Sequence, residues 1–320
     1  MNTSMRGTLS EATQLNRLRP LEGRTILDLS SLLPGPYVGK LLAGQGARVI
    51  KIENPRFPDP ARQMGAYYRD LNSCKEIISL DWASDPASLI PWLQQADGLI
   101  EAFLPKAKIK LRLQEHELYK AQPKLCILSM TGFPEDGPNK DRPAHDLNFQ
   151  ALTGALSLNR EQPGLPWADL LSAHDAAFAL ACLLDRQSRT GHGGRISVSM
   201  YWVMKAAQSG LKLGMIESGE TPMYGETLFS GKFPCYHIYT CKDGRRVAVG
   251  ALEEKFWHTL CDILKTPEVK DSRYTDAVEG ERVKQVIAKR FQDRSWDDWA
   301  PEFERTPCCV EPVLTYQEVQ

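Results

Sequence analysis

Thr25-Ile26-Leu27-Asp28-Leu29, then Pro34-Gly35-Pro36, then a helical stretch over 37–42, then Ala47-Arg48-Val49-Ile50-Lys51-Ile52 is the passage that decides the fold. Two short β-rich runs on either side of a helix make a βαβ unit, which lays its strands parallel. The pattern returns in Ile77-Ile78-Ser79-Leu80, a helix around 86–95, Gly98-Leu99-Ile100-Glu101 and Leu125-Cys126-Ile127-Leu128-Ser129-Met130. The expected class is α/β, with a large Rossmann-like parallel-sheet domain. No Gly-x-Gly-x-x-Gly follows the first strand and no Walker sequence occurs, so the usual dinucleotide and triphosphate cradles are missing.

Further along, residues 173–188 read as a long, sparsely charged helix closed by Thr190-Gly191, and 195–200 as a strand leading into helix to about 214. Residues 217–231 are rich in Gly, Ser, Thr and Pro and mark a crossing segment. Beyond it come a strand at 236–240, a Lys242-Asp243-Gly244 turn, a strand at 246–250 and helices near 255–264, 280–293 and 296–304. The expected organisation is a flexible segment at 1–19, a large α/β domain at 20–216, a linker at 217–232 and a small α+β domain at 233–320.

The chain has 320 residues, 42% hydrophobic and 25% charged, with 39 Lys+Arg against 40 Asp+Glu and a net charge of -1. That composition excludes disordered and collagen-like classes, and the balance offers no basic stripe, so no nucleic-acid partner is expected. The eight cysteines include no Cys-x-x-Cys pair and no zinc spacing; they read as reduced thiols, with no metal site. No run approaches the ~18 apolar residues of a membrane span. With Arg6, Glu11, Arg17 and Arg19 at its start, the chain reads as cytoplasmic, without a membrane partner.

Three polar positions sit at strand ends or in loops, where α/β folds carry their working groups. They are His145 in Pro143-Ala144-His145-Asp146-Leu147-Asn148, Asp169 in Pro166-Trp167-Ala168-Asp169-Leu170, and Glu253 after Val249-Gly250-Ala251-Leu252. An imidazole and a carboxylate make an acid and base pair, and a second carboxylate can orient the ring. Each also has an ordinary structural reading: a surface turn for His145, a helix N-cap for Asp169 and an N-terminal helix residue for Glu253.

The chain resembles the class III CoA-transferase family, in particular its α-methylacyl-CoA racemase branch. The resemblance rests on Leu21-Glu22-Gly23-Arg24-Thr25-Ile26-Leu27-Asp28-Leu29, Pro34-Gly35-Pro36-Tyr37, Gly46-Ala47-Arg48-Val49-Ile50-Lys51-Ile52-Glu53, Thr131-Gly132-Phe133, Arg142-Pro143-Ala144-His145-Asp146 and Asp243-Gly244-Arg245-Arg246-Val247-Ala248-Val249-Gly250-Ala251-Leu252-Glu253. It covers roughly residues 20–316. It implies that Asp169 is a covalent nucleophile in the transferases and an acid/base group in the racemases. There its partner is the histidine of a Gly-His-Asp-x-Asn segment, matched by His145, Asp146 and Asn148, with Glu253 supporting the imidazole.

The activity implied is a racemase or epimerase of 2-methyl-branched acyl-CoA thioesters, moving a proton at the α-carbon through an enolate. The alternatives are CoA transfer through Asp169 and a non-catalytic acyl-CoA-binding protein. The resemblance further implies a CoA-binding large domain with Lys51, Arg62 and Lys75 as its cations, and Asp146 and Asn148 at the substrate. It also implies an interlocked homodimer in which Glu253 acts across the interface. No cofactor is implied beyond the coenzyme A of the substrate. The sequence departs from the pattern at Ser73, Glu76 and Leu104, where the family carries arginines, and at Leu170-Leu171-Ser172-Ala173, where glycines usually follow the aspartate.

Overall fold

The computed structural model describes residues 18–319. The chain divides into two compact units, one of Met1–Ala155 with Pro163–Gly210, the other of Leu156–Gln162 with Leu211–Gln320. The flexible segment expected at 1–19 lies outside the described residues up to residue 17. Inclusion of Leu156–Gln162 in the second unit has no signal in the sequence.

The first unit runs β1 (Thr25–Asp28), α1 (Pro34–Gly44), β2 (Arg48–Glu53), α2 (Ala66–Asn72), β3 (Glu76–Ser79), α3 (Ile90–Gln94), β4 (Gly98–Glu101), α4 (Pro105–Lys110), α5 (Glu115–Ala121), β5 (Cys126–Thr131), α6 (Asp146–Leu152), α7 (Trp167–Thr190), β6 (Gly194–Ser199) and α8 (Met200–Ala207). Its six strands are all parallel in the order β3-β2-β1-β4-β5-β6. The order reverses between β1 and β4, and folds of this kind work at the carboxyl ends of the strands.

Strand alternation builds a core on each side of the sheet. Ile26, Val49, Ile100 and Leu128 face α1 and α7, packing with Val38, Leu42, Ala173, Ala176 and Leu180. Their neighbours Leu27, Ile50, Leu99 and Ile127 point the other way, onto Leu93 and Leu118. Residues buried on both faces explain why these strands read as nearly continuous apolar runs.

A charged layer sits at the end of β1. The Lys75 ammonium is fully buried and donates to Asp28 Oδ2 at 2.8 Å, the Pro36 carbonyl at 2.7 Å and Asn72 Oδ1 at 2.9 Å. Lys51, equally buried, donates to the Ser30 carbonyl at 2.8 Å and pairs with Asp59 at 3.0 Å. Two glycines of α1 make room for this layer: a Cβ on Gly39 would lie 3.0 Å from the Lys75 Nζ, and one on Gly35 would collide with Ser30 at 2.2 Å. Burial pushes the Asp28 carboxyl up, but Lys75, Lys51 and the hydrogen bonds from Lys75 and Ser30 outweigh it and hold the group at about 2.

Helix α7 is longer than the 173–188 expected and contains Asp169 rather than following it. At 24 residues, with a mean hydropathy of 1.3 over its most apolar window, α7 is long and apolar enough to cross a bilayer. Its Ala173, Ala176, Leu180 and Leu184 pack on the sheet, while Phe178 is 70% exposed. The helix expected to reach 214 is two, α8 and α9 (Ser209–Ser218), with the unit boundary inside α9.

The second unit contains β7 (Tyr236–Thr240), β8 (Arg246–Gly250), α10 (Glu254–Leu264), α11 (Ala277–Phe291), α12 (Trp296–Arg305) and β9 (Val310–Pro312). The three strands form an antiparallel sheet in the order β7-β8-β9, with β9 an addition to the sequence expectation. Tyr239, Val247 and Val249 point into a core with Trp257, Leu260, Ile287 and Phe291.

Lys75→Met removes the ion-pair partner of a buried carboxylate and should lower the unfolding free energy in urea by about 3–5 kcal/mol. The folded-state pKa of Asp28 lies below its ordinary 3.8. The pair's contribution is therefore complete above pH 3.8 and disappears as pH falls through about 2, and the stability difference between the wild type and Lys75→Met should shrink over that window.

Candidate active site

Two helix starts build the site in the first unit. His145 is the N-cap of α6, in extended conformation (φ -117°, ψ 174°), and its backbone N–H donates to Asn148 Oδ1 at 3.0 Å. This local bond fixes the helix start and leaves the His145 residue exposed. Asp146, the first residue of α6, turns its carboxylate toward α7. Its Oδ1 accepts the N–H of Ala168 at 2.7 Å and of Asp169 at 3.2 Å, while Oδ2 accepts from Gln150 Nε2 at 2.6 Å. Ala168 and Asp169 are among the residues whose amides a helix start leaves without internal partners, and a negative charge is favourable there.

Asp169 is the third residue of α7, whose N-cap is Pro166, so the capping reading of its carboxylate is not what the structure shows. Burial raises its carboxyl pKa, and the Asp146 charge beside it adds to the effect, bringing it from 3.8 to about 7. Such a group holds its proton in about half the molecules at neutral pH and can act as either acid or base.

Further groups belong to this neighbourhood. Tyr67 of α2 is pushed up by burial and then by the charges of Asp169, Asp70, Tyr37 and Asp146, which keeps its hydroxyl a proton donor near the two carboxylates. Tyr37 of α1 meets His174 of α7 edge-on at 5.6 Å. The Ser172 hydroxyl, one turn after Asp169, is buried without a hydrogen-bond partner among the described residues. Tyr67 was missed because it stands beside Tyr68, whose hydroxyl instead bonds Glu53; the sequence pattern does not separate the two roles.

The remaining sequence candidates fall elsewhere. Lys51 and Lys75 belong to the buried layer below β1, and the three bonds of Lys75 use all its ammonium protons. Arg62 pairs with Glu53 at 2.8 Å and lies over the Tyr68 ring at 4.6 Å, with 48% of its side chain exposed. Of the three expected phosphate cations it is the one whose head reaches solvent. Glu253 is the exposed N-cap of α10 in the second unit, where its carbonyl accepts the N–H groups of Phe256 and Trp257, each at 3.0 Å. No group of three or more His, Cys, Asp and Glu suited to a metal occurs among the described residues.

The model of CoA-transferase family III matches residues 21–320. Human alpha-methylacyl-CoA racemase is 31% identical over 310 residues, covering 93% of this chain and 79% of the racemase. The succinate–glutarate CoA-transferase of Agrobacterium fabrum is 29% identical over 278 residues, covering 80% of this chain and 69% of the transferase. In fold, the chain is similar to the crystal structure of a CAIB/BAIF family protein from Brucella suis, with a TM-score of 0.80 at 24% identity over 94% of this chain and 85% of that one.

Because Asp169 binds its proton more tightly in the folded chain than unfolded, stability should fall as pH rises from 3.8 to about 7. Asp169→Asn, which abolishes the charge, is expected to be more stable than the wild type at pH 8 and close to it at pH 4 in paired urea titrations. Asp146→Asn should return the Asp169 carboxyl toward its ordinary range, read by carbon-13 NMR titration. An unmoved Asp169 titration would separate the two carboxylates electrostatically.

Proposed function

The chain belongs to CoA-transferase family III, and within it we propose that it moves a proton at the α-carbon of 2-methyl-branched acyl-CoA thioesters, interconverting their configurations. The observation that supports this most is the Asp169 carboxyl with a pKa of about 7, set beside a helix start that carries His145. A thioester acidifies its α-carbon too little for a side chain to take the proton unaided. An enolate must be stabilised while a base stands on one face and an acid on the other.

In this reading, His145 serves one face and Asp169 the other, and they exchange roles when the substrate's configuration is reversed. Burial, with the Asp146 charge adding to it, keeps the Asp169 carboxyl near neutrality, and the Tyr67 hydroxyl is a donor for the developing oxyanion. Arg62 meets the phosphates of coenzyme A, with Lys51 and Lys75 shaping the sheet edge beneath. Asn148 fixes the backbone from which the imidazole projects, and in an interlocked homodimer the Glu253 of a second copy of the chain supports the imidazole. No cofactor is needed beyond coenzyme A in the substrate.

A second reading follows from the same carboxyl and from the transferases among the relatives: Asp169 as covalent nucleophile in CoA transfer. The two readings differ in their need for His145.

Incubation with (R)- and (S)-2-methylacyl-CoA in deuterated water, followed at the methyl doublet by NMR, should show α-proton exchange with loss of configuration. His145→Ala and Asp169→Ala should each lower the rate by about 10²–10⁴-fold. CoA transfer that survives His145→Ala, with an Asp169 adduct trapped by hydroxylamine, would replace the proposal with the second reading.

A further inference from the structure

Helix α6 buries one polar side chain to which the proposed reaction gives no role. Gln150 is 2% exposed, although an amide is costly to bury unless it is bonded. It stands four residues after Asp146, on the same face of α6, and its Nε2 donates to Asp146 Oδ2 at 2.6 Å. On a solvated helix a pair of this spacing adds only about 0.2–0.5 kcal/mol to the helix itself. Here the other oxygen of the same carboxylate is engaged outside α6: Oδ1 accepts the N–H groups of Ala168 at 2.7 Å and Asp169 at 3.2 Å. A continuous run of bonds therefore leads from Gln150 through Asp146 to the main chain of Asp169.

Packing of the two helices and orientation of the carboxylate have different sources. Phe149 of α6 and Ala168 of α7 belong to one buried apolar cluster with Phe133, Met200 and Met204. That cluster keeps α6 against the start of α7 without help from Gln150. The amide adds orientation: a carboxylate gripped at one oxygen can still turn about its last side-chain bond, whereas donors on both oxygens fix it. Glutamine is neutral, so it holds Asp146 without cancelling the negative charge felt by Asp169, as a lysine or arginine in its place would.

We propose that Gln150 is a positioning residue for Asp169: it holds Asp146 so that the other oxygen of that carboxylate keeps the Asp169 amide, and with it the acid/base side chain, in place. The assignment rests on the acid/base reading of Asp169. The charged and titratable groups of this neighbourhood are His145 and Asp146 of α6, Tyr67 and Asp70 of α2 and Tyr37 of α1. Lys40 of α1 pairs with Asp70 at 2.7 Å and lies 5.8 Å from the centre of the Tyr37 ring. Asp146 both bonds the Asp169 main chain and adds to the rise of its carboxyl pKa, so a change in its orientation reaches Asp169 by two routes.

The test is Gln150→Met in the full chain, a side chain of similar length without a donor, its folding checked by circular dichroism; Gln150→Leu repeats the test should the first variant not fold. The Asp169 titration, read by carbon-13 NMR, is expected to move down from about 7 toward its ordinary range. The Ala168 and Asp169 amides should exchange with deuterium about tenfold faster. In the 2-methylacyl-CoA exchange assay kcat should fall about tenfold with KM held within about twofold. The pH–rate profile should move to lower pH with the titration, because Asp169 then gives up its proton at lower pH in either direction of reaction. A role confined to stabilising α6 would lower the urea midpoint and leave the titration, both amides and the pH profile unmoved, and that result overturns the assignment. Absence of α-proton exchange in the wild type would instead remove the racemase reading, and the titration and the two amides would still decide whether Gln150 positions Asp169.

Discussion

Where Asp146 accepts the amide hydrogens of Ala168 and Asp169, one carboxylate does three things at once. It ties the start of α6 to the start of α7, satisfies two residues at a helix terminus, and places a fixed negative charge beside a second carboxyl. The first two effects hold the Asp146 carboxylate in place through main-chain hydrogen bonds at a helix terminus. The third then falls on Asp169, which is already desolvated and is left with a proton affinity near neutrality. A desolvated carboxyl with a second carboxylate beside it is an arrangement from which acid and base roles are drawn. His145 is held by the same helix start, so geometry and protonation share one origin.

The sheet beneath uses its charges differently from nucleotide-binding folds of the same strand order. In those folds the crevice beyond the first strand receives a phosphate against a helix N-terminus. Here α1 begins with Pro34 and Pro36, which have no N–H to offer, and the crevice is filled from within by Asp28 and Lys75. Gly35 and Gly39 let α1 approach closely enough to close over Ser30 and the pair. The anion of this crevice is thus part of the protein, consistent with the missing glycine-rich cradle in the sequence.

The layers and strands were legible because alternation and burial write themselves plainly into parallel strands: Ile26 and Leu27 are both apolar since each faces a different core. The start of α7 was less legible. Trp167 and Ala168 carry no signal distinguishing them from the preceding loop, and it is the distant carboxylate of Asp146 that holds the helix start there. The same holds for Lys51 and Lys75. As sequence they are two basic residues near strands, and only the fold shows that each is enclosed by partners. His145 and Asp169 could be named from the motif, whereas Asp169's proton affinity and the place of Tyr67 arise from tertiary packing that no local pattern contains. The short β9 and the assignment of Leu156–Gln162 likewise depend on pairing across long sequence separations.

Asp169 also shows how a departure from a family pattern is tied to electrostatics. Where glycines usually follow the aspartate, this chain has Leu170-Leu171-Ser172-Ala173, and Ser172 and Ala173 are fully buried. Side chains there continue α7 with better helix formers than glycine. Burial of Asp169 within this start of α7 penalises its charge and is the leading cause of its raised pKa. Folding works against the ionised carboxyl at this position. In the proposed reaction the carboxyl whose ionisation costs stability is the one that takes and gives the proton, so stability and chemistry make opposite demands at this position.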